Sequence, residues 1–184
     1  MNPPNRNDTF NHLFSLMGDM KDPLTIVETG TIRIHGDVGL MGDGHSTLKF
    51  ADYCSKFGGK LYSVDIDPEA VVLSSRMVSR KYPDVEVNVV ESDSVAFLES
   101  FDQPIDVLYL DSANDANLIL KEAKAALCHL HTESIVLIDD CFCEELKKSY
   151  DIEKGDLVIP FLEENGWVME VKEYQVLFIH KDRF

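Results

Sequence analysis

Between Thr25 and Ile138 the chain alternates short apolar runs with helical stretches, and this rhythm constrains its fold more than any single motif. The runs are Thr25–Val27, LYSVDID after Lys60, Val85–Val90, Ile105–Leu110 and Ser134–Ile138. Between them, Ser46–Phe57 reads as a helix ended by Gly58-Gly59, and Glu69–Lys81 as one opened by Pro68 and stopped at Tyr82-Pro83. Ser92–Phe101 and Leu118–Leu130 complete the set. The runs are nearly continuous in apolar character rather than alternating, as strands buried on both faces are. That predicts a parallel sheet covered by helices on both sides.

The ends of the chain break the rhythm. Asp8 is placed to cap a helix over Thr9–Met20, whose Phe10, Leu13, Phe14 and Met17 fall at helical spacing. Near the other end a helix over Asp156–Asn165, with Pro160 in its first turn, leads into strands at Trp167–Val171 and Tyr174–His180. Strands so close in sequence can only pair antiparallel, since a parallel return needs a dozen residues or more. The expected fold class is therefore α/β: seven strands, mostly parallel, closing in an antiparallel hairpin. At 184 residues, 45% of them hydrophobic, the chain suits one domain over 1–184, with 1–22 as an N-terminal extension carrying the first helix.

A formal charge of −16 repels phosphate backbones and anionic lipid, so neither nucleic acid nor membrane is an expected partner. Cys54, Cys128, Cys141 and Cys143 show no disulfide spacing and read as reduced thiols of a cytoplasmic protein. The opening MNPPNRNDTF lacks the basic and apolar regions of a signal peptide, and no apolar run approaches a membrane span.

The first strand runs into a glycine-rich stretch, with Glu28 at the strand end and Gly30, Gly36, Gly39 and Gly42 before Gly44-His45-Ser46-Thr47 opens a helix. Glycines allow close backbone approach to a ligand and a helix N-terminus offers unpaired N–H groups. Ligands of open α/β sheets bind beyond the C-terminal strand ends. There the sequence places Glu28, then Asp65 and Asp67, Glu91 and Asp93, Asp111, and Asp139-Asp140. A rim that acidic suits hydroxyls, a positive centre or a bound cation, and not a pyrophosphate; GxGxxG is also absent. Asp65 stands about 20 residues beyond Gly44, where an acid binds the ribose hydroxyls of an adenosine. Ile66 offers an apolar face to the adenine, and Asp93 an acceptor for its amino group.

These residues resemble the class I S-adenosylmethionine-dependent methyltransferases over nearly the whole chain, Ile26 to His180. The segments that carry the resemblance are VETG, GDGHST, SVDIDP, VVESDS, IDVLYLDS and VLIDD, together with the terminal hairpin, which suits that family's Rossmann-like seven-stranded sheet. Among subfamilies the chain is most similar to small-molecule O-methyltransferases of the catechol and macrocin type, including the cephalosporin-hydroxylase-like group. The resemblance implies S-adenosyl-L-methionine as cofactor. Glu28 and Gly30 would lie beside its methionine portion, Ser46 near its carboxylate, Asp65 at the ribose, and Asp93 with Ser94 at the adenine, with Gly44 and Ile66 counted among the cofactor-binding residues. It also implies that Asp111, Asp139 and Asp140 hold magnesium, which would lower the pKa of an acceptor hydroxyl.

Two features depart from that pattern. The base expected three residues after Asp111 is Asn114, which takes no proton at neutral pH, leaving Asp115, His35, Asp111 or the metal-bound hydroxyl as alternatives. The insertion Ile32–Asp43 lengthens the first loop and has the makings of a lid. The expected activity is methyl transfer to a hydroxyl of a small molecule, with a homodimer as one way to complete the acceptor pocket. An NAD-type oxidoreductase domain and a non-catalytic binding or assembly domain are the competing readings.

Overall fold

The computed structural model describes residues 6–21, 23–34, 45–141 and 153–183. Its elements, in chain order, are α1 (Arg6–Gly18), β1 (Thr25–Thr29), α2 (Ser46–Phe57), β2 (Lys60–Asp65), α3 (Pro68–Lys81), β3 (Glu86–Glu91), α4 (Ser94–Ser100), β4 (Ile105–Leu110), α5 (Ala116–Ala126), β5 (Leu130–Ile138), α6 (Val158–Glu164), β6 (Trp167–Lys172) and β7 (Val176–His180). The strands form one sheet in the order β3-β2-β1-β4-β5-β7-β6. β1 to β5 pair parallel, while β7 inserts antiparallel between β5 and β6. This is the expected seven-stranded Rossmann-like sheet, and its strand order reverses between β1 and β4.

Alternate residues of each central strand enter opposite cores, which is why the runs had to be apolar throughout. Ile26, Val107, Tyr109, Ile135, Leu137 and Leu177 face a core closed by Phe10, Leu13 and Met17 of α1 and Phe50 and Tyr53 of α2. Val27, Leu108, Leu110, Val136, Ile138 and Phe178 face the other, closed by Leu98 of α4, Ile119 and Ala123 of α5 and Leu162 of α6. The leading helix is thus a packing element. Its Phe10 sits edge-on to Tyr109 at 5.6 Å between ring centroids and tilted against Phe50 at 5.7 Å.

Strand five differs most from its expected bounds. It begins at Leu130, not Ser134, and the preceding helix ends at Ala126 in a single 3-10 turn, Leu127–His129. The register against β4 shifts between Ile105 and Val107. There the Ser134 hydroxyl donates to the Ile105 carbonyl and accepts from the His131 N–H, so a side chain supplies the bonds that the irregular ladder leaves out. Polar residues His131–Glu133 concealed this extension. Among the described residues no helix is long and apolar enough to cross a membrane.

Candidate functional site

The ladder runs one residue past the strand ends and so aligns the rim. Ser92 N–H donates to the Asp65 carbonyl, Gly30 to Val64, Asp111 to Thr29 and Asp139 to Leu110. At the reversal point Gly30 has φ +84°, and a Cβ there would lie 2.3 Å from the Asp111 carbonyl oxygen. Only glycine permits the β1 and β4 loops to meet so closely.

Beside this crossing lies a cavity of about 130 Å³ lined by Gly30, Asp65, Ile66, Asp93, Ser94 and Leu118, among others. Five of the residues expected at the cofactor are therefore brought to one place. The Asp65 carboxylate is fixed by two backbone donors: Thr31 N–H reaches Oδ2 at 3.0 Å and Asp67 N–H reaches Oδ1 at 2.9 Å. Each oxygen keeps a lone pair for a ligand hydroxyl. Ile66 is 71% exposed, an aliphatic side chain left beside the cavity. Asp93 caps α4 through Ala96 N–H at 2.9 Å, which uses one of its oxygens.

Glu28 and Ser46 are not among the residues that line this cavity. Glu28 is fully buried and accepts hydrogen bonds from Ser46, from Thr47 at 2.7 Å and from Ser63 at 2.6 Å. The network continues from Ser63 to Thr31 and from Thr31 to Ser74. Glu28 thus ties β1, α2 and β2 together rather than lining the cavity, because the hydroxyls around it satisfy its carboxylate internally. Asp115 is likewise occupied. It caps α5, accepting from Asn117 N–H at 2.8 Å and Leu118 N–H at 3.3 Å. His35, Gly44 and most of the 32–43 insertion lie outside the described residues. On either side of that stretch, His45 Nε2 lies 2.9 Å from the Ile34 carbonyl oxygen.

Asp111, Asp139 and Asp140 converge, with one carboxylate oxygen from each lying within 4.8 Å of the others. Asp140 takes a left-handed conformation, φ 56°, a backbone state that aspartate tolerates better than most residues and that turns the chain sharply at the end of β5. Sequence reasoning missed a fourth member. The Lys154 Nζ sits 3.2 Å from Asp111 Oδ1, with its side chain only 1% exposed. Burial alone would lower its pKa, but the fields of Asp111, Asp139 and Asp140 outweigh that and raise it above the ordinary 10.5. Lys154 therefore sets a positive charge on one oxygen of Asp111, and a divalent cation among the three carboxylates would meet that charge, which disfavours its binding there. Tyr109 reaches Asp111 Oδ2 at 3.4 Å and itself receives Gln175 Nε2 at 3.4 Å.

Glu122 is the second residue that sequence reasoning missed. It lies on the buried face of α5 with Ile119, Ala123 and Ala126, and accepts from Ser94 and, at 3.1 Å, from Thr29. Burial pushes its carboxyl up from the ordinary 4.5, against the hydrogen bonds that favour its charged form. A glutamate at core spacing on a helix was the available signal. Lys154 gave none, since nothing periodic surrounds it.

A model of the family described as a methyltransferase domain matches residues 41–141. No curated protein matches the chain in sequence. Among solved structures, the SAH-bound methyltransferase PaMTH1 of Podospora anserina is similar at TM-score 0.68 and 16% identity, over 97% of this chain and 80% of that one. The N-methyltransferase NodS of Bradyrhizobium japonicum WM9, in complex with S-adenosyl-L-homocysteine, gives 0.66 and 13%, over 98% and 90%. The precorrin-6y C5,15-methyltransferase of Geobacter metallireducens GS-15 gives 0.62 and 15%, over 97% and 89%. At such identities the likeness is one of fold.

Proposed function

Because the chain belongs to the methyltransferase domain family, we propose that it transfers the methyl group of S-adenosyl-L-methionine to a hydroxyl of a small molecule. The observation that carries this reading is the cavity at the reversal of strand order, where a carboxylate held by two backbone N–H groups faces an opening flanked by exposed Ile66. Asp65 receives the ribose hydroxyls, Ile66 and Leu118 cover the adenine faces, and Asp93 offers its second oxygen to the adenine amino group. Bound there, S-adenosylmethionine supplies an electrophilic methyl on a positively charged sulfur. A rim carrying Asp111, Asp139 and Asp140 favours that charge over the phosphates of a dinucleotide.

The chain's contribution to the reaction is alignment. Asp111, 18% exposed in its side chain and next to cavity-lining Ser112, accepts the hydrogen bond of an acceptor hydroxyl and orients its oxygen toward the methyl group. No step is assigned to a divalent cation. The charge of −16 favours a small acceptor over nucleic acid or a membrane, and thiols held as Cys54, Cys128 and Cys141 outside any disulfide suit a cytoplasmic setting.

Calorimetric titration with S-adenosylhomocysteine and, separately, NAD tests the cofactor. Heat with the former and none with the latter is expected, and the reverse would overturn the reading in favour of an oxidoreductase. Transfer of a labelled methyl group into a panel of hydroxylated and aminated small molecules then tests the acceptor. Label found only in amines would move the function to N-methylation, whereas cofactor binding without any transfer would favour a binding domain.

A further inference from the structure

The acid cluster at the ends of β4 and β5 has the composition of a hard-cation site, yet a buried lysine side chain is paired with one of its members, Asp111. Lys154 reaches the cluster from the segment before α6, far from Asp111 in sequence, so the contact exists only in the folded chain. It is held there by packing. A Cβ on neighbouring Gly155 would lie 2.7 Å from Ile159 Cδ1 and 3.3 Å from Cys141 Cβ, so this segment packs closely against the turn after β5. Cys141, fully buried, follows directly on Asp139 and Asp140, which places the lysine-bearing segment against the residues that carry the charge.

Burying a lysine costs several kcal/mol unless carboxylates repay it. The reverse also holds: three carboxylates drawn within 4.8 Å of one another repel unless a cation sits among them. The Lys154 ammonium, paired with Asp111, serves both requirements, and its charge opposes the entry of a divalent ion beside that carboxylate.

We infer that Lys154 is a positioning residue whose buried ion pair with Asp111 keeps a divalent cation out, so that the Asp111, Asp139 and Asp140 cluster is closed to metal in the wild-type protein and opens to it when the lysine is removed. The inference deepens the methyl-transfer reading by giving the site a built-in positive charge, covalently part of the chain. That charge offsets the acids next to which an acceptor oxygen must lie as it gains electron density. A lysine with a merely structural role would leave metal affinity unchanged on removal, which separates the two.

The experiment follows free Mn2+ by its paramagnetic resonance during titration of the full chain. The wild type is expected to leave the free signal undiminished, Lys154→Ala to deplete it by one ion per chain, and Lys154→Ala combined with Asp139→Asn to restore it. Depletion by the wild type that Asp139→Asn abolishes would overturn the inference, as would a folded Lys154→Ala that takes up no metal. Thermal melts supply a second readout: Mn2+ should raise the melting temperature of Lys154→Ala and leave that of the wild type unmoved. Should the alanine variant not fold without metal, recovery of folding on adding Mn2+ supports the inference, and failure to recover together with wild-type uptake overturns it. Calorimetry of the wild type with S-adenosylhomocysteine in a chelator tests the cofactor reading by itself, so loss of one conclusion does not masquerade as loss of the other.

Discussion

Thr31 donates its backbone N–H to Asp65 Oδ2 at 3.0 Å, so the turn after β1 holds the carboxylate at the end of β2. Two elements far apart in sequence thus preorganise one acceptor before any ligand arrives. Asp65→Ala removes that acceptor and should weaken S-adenosylhomocysteine binding by about 1.5–3 kcal/mol, roughly ten- to a hundredfold, in calorimetric titration. Affinity equal to wild type would mean that the ribose lies elsewhere.

Gly30 meets the Asp111 carbonyl across the β1–β4 crossing, at a φ that L side chains rarely adopt. Gly30→Ala should lower folding stability by about 2 kcal/mol or more, from the left-handed backbone and the clash together. It should also reduce cofactor affinity, because Gly30 lines the cavity. Denaturant unfolding and calorimetry read the two effects separately, and an unchanged midpoint would contradict the geometry.

The sign of the Glu122 effect follows from its raised folded-state pKa. The neutral carboxylic acid fits its site, so its contribution to stability is complete below about 4.5 and is lost as pH rises through the raised value. Glu122→Gln keeps one oxygen to accept from Ser94 or Thr29, offers an N–H to the other hydroxyl, and does not titrate. Its melting temperature should gain on the wild type steadily as pH is raised from 4 toward neutrality, about the range in which a buried carboxyl titrates. Parallel pH profiles for the two proteins would contradict a perturbed carboxyl.

Cys141 is fully buried and burial drives its thiol up to about 12, whereas Cys128 is exposed. At mildly alkaline pH a thiol-alkylating reagent should label Cys128 in the native protein and spare Cys141 and buried Cys54. Peptide mapping by mass spectrometry reads this directly. Labelling of Cys141 at the rate of Cys128 would mean that the turn after β5 opens in solution.

Much of the site was legible because strand ends are local features. Asp65, Asp93, Asp111 and Asp139 each follow an apolar run, and the parallel arrangement carries all such ends to one rim. Glu28 also follows such a run, yet its neighbours Ser46, Thr47 and Ser63 turn it inward. Whether a strand-end acid faces ligand or core depends on hydroxyls supplied by other elements, which no single window of sequence displays.

From the alternation of apolar runs and helices, the amino-acid sequence alone determined an α/β sheet with parallel central strands, the antiparallel pairing at its end and the acids on its rim, since periodicity and short connections are properties of neighbouring residues. Tertiary structure alone decided that β7 lies between β5 and β6, that Glu122 enters a buried hydroxyl network, and that Lys154 pairs with Asp111. These depend on charges and packing between distant segments, where burial of one group is repaid by another that is near it only after the chain has folded.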